Sequence, residues 1–128
     1  LLTAFADDNL NRFSLFNLQY EFNKEESDLL VDNDVSNLMA EILDISKTAL
    51  IIKNMDLVIT VDTSIAHLAA SLNKPTWLLL SYSPDWRWLV DTDYSPWYKT
   101  VKIFRQNELE NWDNVIQQLK EELIKLEK

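Results

Sequence analysis

A short polar cluster lies where a buried strand is predicted to run into a helix. Residues 57–61 form a continuous apolar, β-branched run, and the sequence DTSIAH follows it directly, with Asp62, Thr63, Ser64 and His67. Free backbone N–H groups and the positive end of the helix dipole point outward at such a joint, which suits it to hold an anion such as phosphate. The sequence therefore predicts an anion-binding corner at residues 62–67.

Each residue of this corner also has a purely structural interpretation. Asp62, Thr63 and Ser64 are all common N-cap residues, so any of them can satisfy the helix end without a ligand. In the binding interpretation, the N–H groups of Thr63, Ser64 and Ile65 hold the phosphate together with the hydroxyls, and Asp62 caps the backbone or binds a sugar hydroxyl. His67 shares a helix face with Thr63 and Ser64 and leans toward the N-terminal side, so it faces either a ligand or a hydrogen-bond partner at the sheet edge.

The second chemically distinctive stretch is the aromatic segment SPDWRWLVDTDYSPWY at residues 83–98. Its three tryptophans either stack on a base or sugar ring or clamp a long loop onto the domain. Arg87 pairs either with a phosphate or with a neighbouring aspartate. The tryptophans are Trp86, Trp88 and Trp97. The further candidate ligand contacts are Asp85, Trp86, Arg87 and Trp88 in this segment, with Gln19 and Arg105 at the ends of other predicted strands.

Alternating strands and helices must position these residues. Strands are predicted at 13–18, 57–61, 76–80 and 101–104, with a short strand at 29–31 inside an acidic, polar loop over 19–34. Helices are predicted at 35–45, 47–55, 63–72 and 111–128, and the end of a helix at 1–11. We expect the strand at 57–61 to be central and buried on both faces. The pattern indicates one α/β domain over residues 1–128, with a parallel sheet and ligands beyond the C-terminal strand ends.

Composition excludes several classes of function. The net charge of −9 comes without a basic patch, so we expect no nucleic-acid partner. The chain has no cysteine and one histidine, which excludes disulfides and thiolate catalysis and leaves little room for a metal site. Apolar runs are too short to span a bilayer and no secretory signal is visible, so we expect a cytoplasmic protein.

Glycine is absent from all 128 residues, although average usage is about 7%. This absence excludes every Gly-rich phosphate loop, both the dinucleotide fingerprint and the P-loop. A phosphate would have to be held by a helix terminus or by side chains. The chain begins with Leu1 rather than methionine, and we expect it to be a fragment of a longer protein.

The string DLVITVDTSIAHLAASLNKPTWLLL, followed by PDWRWL, SPWY and FRQ, resembles the C-terminal half of a GT-B glycosyltransferase. Specifically, it resembles the family 9, heptosyltransferase-like domain at the end of tetratricopeptide-repeat proteins, and FSLFNLQ resembles the strand of that domain that ends in Leu-Gln. The resemblance implies a Rossmann-like parallel sheet flanked by helices, here N-terminally truncated, as one half of a two-domain enzyme with its active site in the cleft. It further implies that Asp62, Thr63 and Ser64 contact the donor diphosphate, that His67 is the motif histidine, and that no metal or other cofactor is needed. Two family glycines are replaced, by Ala70 and Asn73.

The resemblance leads us to expect the donor-binding domain of an enzyme that transfers a hexose or heptose from a nucleotide-diphosphate sugar. The helix start at residues 63–65, with a cation such as Arg87, would stabilise the leaving diphosphate. No catalytic residue is assigned, because the base is expected in an absent N-terminal half, and the 128 residues alone are expected to be inactive. Expected partners are the nucleotide sugar and that missing half or a repeat region, with a homo-oligomer through an open sheet edge left possible. The alternative is a non-catalytic interaction or structural module derived from such a domain, which the acidic charge and the lack of glycine favour.

Overall fold

The structure is a computed structural model that describes residues 13–18, 23–32, 34–38, 44–82, 95 and 97–126. In chain order its elements are β1 (Phe16–Asn17), α1 (Lys24–Asp32), β2 (Ser36–Asn37), α2 (Ile45–Lys53), β3 (Val58–Val61), α3 (Ser64–Ser71), β4 (Thr76–Leu80), β5 (Val101–Arg105) and α4 (Asp113–Leu126). All strand pairs are parallel: β1 pairs with β2, and β3, β4 and β5 form a second sheet in that order. The predicted Rossmann-like α/β fold, a parallel sheet flanked by helices, is confirmed.

The centre of the larger sheet is β4 rather than β3. Val61 of β3 pairs with Leu79, and Leu80 pairs with Arg105 of β5, so β4 has a strand on each side. Every residue of β4 is buried, whereas Val61 at the end of β3 is 48% exposed. The expectation that 57–61 is the central strand is therefore wrong: within the described residues β3 is the edge strand of this sheet.

Helices cover both faces of the sheet, because side chains of a strand point alternately to its two faces. Trp77 and Leu79 pack toward α4, and Leu78 and Leu80 pack toward α3. The α4 side is completed by Phe104, Val115, Leu119 and Leu123. The α3 side is completed by Ala66, Ala70, Val101 and Ile103. Small alanine side chains let the axis of α3 approach the sheet closely, which fixes the position of its N-terminus.

Helix α2 packs beside α3 through a smaller apolar cluster that includes Ile52, Val58 and Ala69. The side chain of Asp44 caps α2, accepting a hydrogen bond of 3.0 Å from the N–H of Lys47. At the other end, the Lys74 ammonium donates to the carbonyl of Lys53 at 3.0 Å, where a cation is favoured by the helix dipole. The first contact fixes the start of α2, and the second holds the end of α2 from which the chain leads into β3.

Helix α1 lies where the short strand at 29–31 and most of the loop over 19–34 were expected, and residues 19–22 and 33 lie outside the described residues. A reciprocal capping box begins it: the N–H of Asn23 donates to the Glu26 carboxylate, and the N–H of Glu26 donates to the Asn23 side chain, both at 2.8 Å. The helix has no buried residue, so it lacks the strong apolar periodicity that identifies most helices. Local capping accounts for a helix that hydrophobic spacing did not predict.

The helix expected over 35–45 is wrong at its start, where residues 36–37 form β2. The Asn17 side chain donates to the Asn37 side chain at 3.2 Å across the β1–β2 pair. Apolar residues at 35 and 38 matched a helical spacing by chance, while the true helix start is set by the Asp44 cap. Residues 39–43, the helix end expected over 1–11, and the last two residues of the helix expected over 111–128 lie outside the described residues. No helix among the described residues is long and apolar enough to cross a membrane.

Asn73 ends α3 in the left-handed conformation, with φ of 56°. The N–H of Asn73 donates to the carbonyl of Ala70, and the N–H of Lys74 donates to that of Ala69, both at 3.0 Å. These two bonds form a Schellman motif, in which the residue after the helix is usually glycine. Asparagine tolerates this conformation better than most non-glycine residues, so it terminates the helix in a chain without glycine.

A three-residue charge network ties α4 to β5. The ammonium groups of Lys102 and Lys125 donate to the two carboxylate oxygens of Glu122, at 2.6 and 2.8 Å. The hydrogen bond from Lys102, followed by that from Lys125, lowers the pKa of Glu122 below its ordinary value of 4.5. The Glu122 side chain is 23% exposed, so solvent weakens the pairing without abolishing it.

Replacing Asn73 tests the cost of the left-handed residue. Asn73→Ala should lower the free energy of unfolding by about 1 kcal/mol, because alanine keeps the β-carbon clash of this conformation and lacks the short polar side chain by which asparagine tolerates it, whereas Asn73→Gly, which removes the β-carbon, should be as stable as the wild type or more stable. Urea unfolding measures both. Asn107→Ala, at an exposed position without positive φ, is the control and should change stability by less than about 0.5 kcal/mol. An Asn73→Ala protein as stable as the wild type would contradict the assignment.

Removing the Glu122 charge tests the network through its pH dependence. A carboxyl with a lowered folded-state pKa adds stability above its unfolded value of 4.5, and this stability is lost as the pH falls through the folded value. Glu122→Gln should therefore lower stability near neutral pH by about 0.5–1 kcal/mol and should differ little from wild type in acid. Urea unfolding across this pH range is the measurement. Glu121→Gln, at the exposed neighbouring position, is the control and should not show this pH-dependent loss. An equal loss of stability at every pH in Glu122→Gln would refute the role of the charge network.

Candidate functional site

The corner between β3 and α3 is open to solvent. Strand β3 ends at Val61, helix α3 begins at Ser64, and the side chains of Asp62, Thr63 and Ser64 are all exposed. The N–H of Ala66 donates to the carbonyl of Thr63 at 3.1 Å. The N–H groups at positions 63, 64 and 65 have no acceptor among the described residues. Three backbone donors at the positive end of a helix dipole thus face a site that a solute can reach.

Side-chain capping does not satisfy this helix end. Thr63 occupies the N-cap position with extended backbone, φ of −139° and ψ of 175°, yet its side chain makes no capping hydrogen bond. The alternative in which the Thr63 hydroxyl caps the helix is therefore not realised. The donors remain available to a ligand, and the binding role of the corner stays a prediction.

Two threonine hydroxyls, one from β3 and one from the corner itself, lie within hydrogen-bond distance of each other. The Thr60 hydroxyl donates to the carbonyl of Val61 at 3.0 Å and lies 3.3 Å from the Thr63 hydroxyl. Because the single proton of Thr60 is already used, the Thr63 hydroxyl must be the donor in this pair. Thr63 therefore offers acceptor lone pairs outward, which suits a ligand hydroxyl better than an anion.

His67 links the corner to a second segment of the chain. Its Nε2 atom lies 3.7 Å from the Asp62 carboxylate, with both side chains partly exposed. Its Nδ1 atom lies 3.4 Å from the hydroxyl of Tyr98, and the two rings meet edge to face with centroids 6.0 Å apart. The two ring nitrogens thus face different groups, a carboxylate on one side and a phenol on the other.

Tyr98 is held in place by its own turn. The buried Ser95 hydroxyl accepts hydrogen bonds from the N–H groups of Trp97 and Tyr98, both at 3.1 Å. Thr100, two residues later, accepts from the N–H of Thr76 at the start of β4. Sequence reasoning quoted the SPWY motif but did not assign Tyr98 to the site. The signal that could have found it is a tyrosine that follows a serine by three residues, a spacing at which the serine hydroxyl can fix the tyrosine backbone.

Arg105 ends β5 at the same sheet edge as the corner. It pairs with Leu80, whose side chain packs on the α3 side of the sheet, so the strand alternation directs Arg105 toward that side too. Its side chain is partly buried. The neighbouring Gln106 is buried and structural: its side chain accepts from the N–H of Tyr82 at 2.9 Å, which fixes the backbone after β4.

The other predicted ligand contacts stay predictions. Trp97 is 62% exposed, and its stacking role is untested. Within the described part of the chain, no three His, Cys, Asp or Glu side chains are grouped so that they could hold a metal ion. The candidates that lie outside the described residues are Gln19, Asp85, Trp86, Arg87 and Trp88.

A family model described as glycosyltransferase family 9 (heptosyltransferase) matches residues 19–124. The chain belongs to this family. The matched span contains the corner, Tyr98 and Arg105, so the family 9 domain includes every described residue of the candidate site. No curated protein matches the chain. Membership supports a glycosyltransferase-like function, and the family assignment made from the DTSIAH, DWRW and SPWY motifs is confirmed.

Ser95 provides a test of how firmly the turn of this family 9 domain is built. Ser95→Ala leaves two N–H groups without their acceptor in a partly buried position, so we expect a loss of about 1–3 kcal/mol in the free energy of unfolding. Ser71→Ala is the matched control: its exposed hydroxyl donates to the His67 carbonyl within α3, and its loss should cost under about 0.5 kcal/mol. Equal effects of the two substitutions would argue against the Ser95 turn.

Proposed function

We propose that this family 9 domain binds the diphosphate of a nucleotide-diphosphate sugar donor at the corner between β3 and α3. The observation that carries the proposal is the set of backbone N–H groups at positions 63–65, which have no acceptor among the described residues and belong to exposed or half-buried residues at the start of α3. An anion at this position gains both the hydrogen bonds and the helix dipole. The family membership supports a sugar donor as the source of that anion.

Different groups of the corner bind different parts of the ligand. The backbone donors take the diphosphate, and Ser64 adds a hydroxyl beside them. Thr63, which offers acceptor lone pairs outward, takes a ligand hydroxyl. Asp62 accepts from a sugar or ribose hydroxyl, since its negative charge would repel the phosphates. The resulting arrangement is selective for a ligand that carries phosphates and hydroxyls together.

A cation must offset the acidic background of the chain. The net charge of −9 disfavours a diphosphate, and Asp62 places one of these negative charges at the corner itself. Arg105 ends β5 on the α3 side of the sheet, and we propose it, with Arg87, as the source of positive charge. These cations and the helix start would stabilise the diphosphate as it leaves the sugar.

We expect the 128 residues to bind the donor without transferring the sugar. In a two-domain glycosyltransferase the catalytic base comes from the opposite half, and no catalytic residue is assigned here. The partner in catalysis is proposed to be a second Rossmann-like half or a repeat region of the same protein. No metal or cofactor is proposed to take part.

A non-catalytic module is the competing function, and one observation favours it. A carboxylate, that of Asp62, stands beside the open helix start, with the His67 ring only 3.7 Å away. If the Asp62 carboxylate and the His67 ring pair with each other, these two side chains need no ligand group as a partner. The domain would then serve as a docking surface or a cap for a repeat array.

Binding can be tested at a single backbone N–H by Ser64→Pro. Proline is favoured at the first position of a helix, and the extended backbone of Thr63 is the conformation required before a proline, so the fold should tolerate it. The substitution removes the Ser64 N–H, and a charge-assisted hydrogen bond contributes about 1.5–3 kcal/mol, so nucleotide affinity should fall roughly tenfold or more. Thermal shift with UDP, ADP, GDP and their sugars, over a range of concentrations, measures the affinity.

Ser64→Ala is the matched control, because it removes the hydroxyl and keeps the N–H. It should bind much more tightly than Ser64→Pro, and both variants should unfold at or near the wild-type temperature without ligand. A wild-type chain that no nucleotide stabilises would favour the non-catalytic module. Sugar transfer by the 128 residues alone would contradict the expectation that the base lies elsewhere.

A further inference from the structure

The contact between His67 and Tyr98 joins two segments that are 31 residues apart in sequence. Tyr98 is partly buried, and its ring packs against the cluster on the α3 side of the sheet. Its hydroxyl lies 3.4 Å from Nδ1 of His67. The ring packs without any need for its hydroxyl, so the contact between that hydroxyl and Nδ1 of His67 is a separate feature of Tyr98.

The groups around His67 favour one tautomer of the neutral ring. A carboxylate can only accept a hydrogen bond, so Asp62, 3.7 Å from Nε2, favours a proton on that nitrogen. The neutral imidazole then has a bare Nδ1, which accepts from the Tyr98 hydroxyl. The acceptor-only carboxylate of Asp62 thus selects the form with the proton on Nε2, and the Tyr98 hydroxyl, which can donate or accept, matches this form by donating to Nδ1.

We propose that Tyr98 is a positioning residue, which holds His67 as the Nε2–H tautomer and directs that N–H toward the corner at the start of α3. The ring then presents a hydrogen-bond donor, as the backbone at positions 63–65 does, rather than a base. In the absence of ligand this N–H faces Asp62. When the diphosphate of the proposed nucleotide sugar is bound, the same N–H can donate to it, and this last consequence rests on the proposed function.

The turn around Ser95 explains how a loop tyrosine can act in this way. Two hydrogen bonds to the Ser95 hydroxyl fix the backbone of the turn, and the Tyr98 carbonyl accepts from the N–H of Val101 at 3.4 Å. Tyr98 is thus attached directly to the start of β5. A rigid support of this kind is what keeps a ring nitrogen at a defined orientation.

The chain contains a single histidine, so its imidazole nitrogens can be observed without ambiguity. We would record long-range ¹H–¹⁵N spectra of the neutral imidazole at alkaline pH for the full 128-residue chain. The wild type should carry its proton on Nε2, with Nδ1 shifted upfield as in a hydrogen-bond acceptor. Tyr98→Phe, which keeps the ring, should move the Nδ1 resonance downfield toward that of a bare nitrogen. Tyr82→Phe, at an exposed tyrosine, is the control and should leave both resonances unchanged.

Nucleotide affinity provides a second readout through a double-mutant cycle. Tyr98→Phe should weaken UDP, ADP or GDP binding about two- to tenfold in the wild-type background, and by nothing further in a His67→Ala background, because it acts through His67. A proton on Nδ1 in the wild type, an unchanged Nδ1 resonance in Tyr98→Phe, or additive losses in the cycle would each overturn the proposal. If the resonances behave as expected while no nucleotide binds, the positioning role stands and the donor-binding function fails.

Discussion

The close packing of α3 on the sheet is the constraint on which the candidate site depends. Ala66, Ala69 and Ala70 are each no more than 2% exposed, and their small side chains bring the helix down onto β3 and β4. A larger residue at any of them would lift the helix and move its first turn away from the strand ends. The orientation of the backbone donors at positions 63–65, and of His67 one turn later, follows from this contact. The chemistry of the corner is thus set by residues that cannot touch a ligand.

The absence of glycine shapes both ends of that helix. At the C-terminal end, the left-handed position is filled by Asn73, and Asp34 and Glu110 fill two further left-handed positions elsewhere. At the N-terminal end, a sequence without glycine has no Gly-rich loop with which to wrap a phosphate. The helix start is what remains for an anion, and its donors are exposed because no side chain caps them. A rigid corner of this kind favours a ligand whose shape already matches it.

The sequence predicted those elements that bury an apolar face. Residues 57–61, 63–72 and 76–80 carried continuous or helical apolar patterns, and β3, α3 and β4 lie there. Helix α1 was missed because its stability begins with a reciprocal cap at Asn23 and Glu26 and none of its residues is buried. The polar corner could be predicted because all of its residues are neighbours in sequence. The Tyr98 contact could not, because it depends on how a distant turn folds back over α3.

The order of elements along the chain has a consequence for synthesis on the ribosome. Trp77, Leu79 and Phe104 form one face of the sheet, with the Trp77 and Phe104 rings 5.3 Å apart, and the buried residues that cover this face belong to α4. At translation rates of about 5–20 residues per second, this aromatic face is complete on the order of a second or more before Leu119 and Leu123 are made. During that interval the nascent sheet offers a large apolar surface to chaperones or to neighbouring chains. This side of the core can therefore be completed only after the ribosome has added α4.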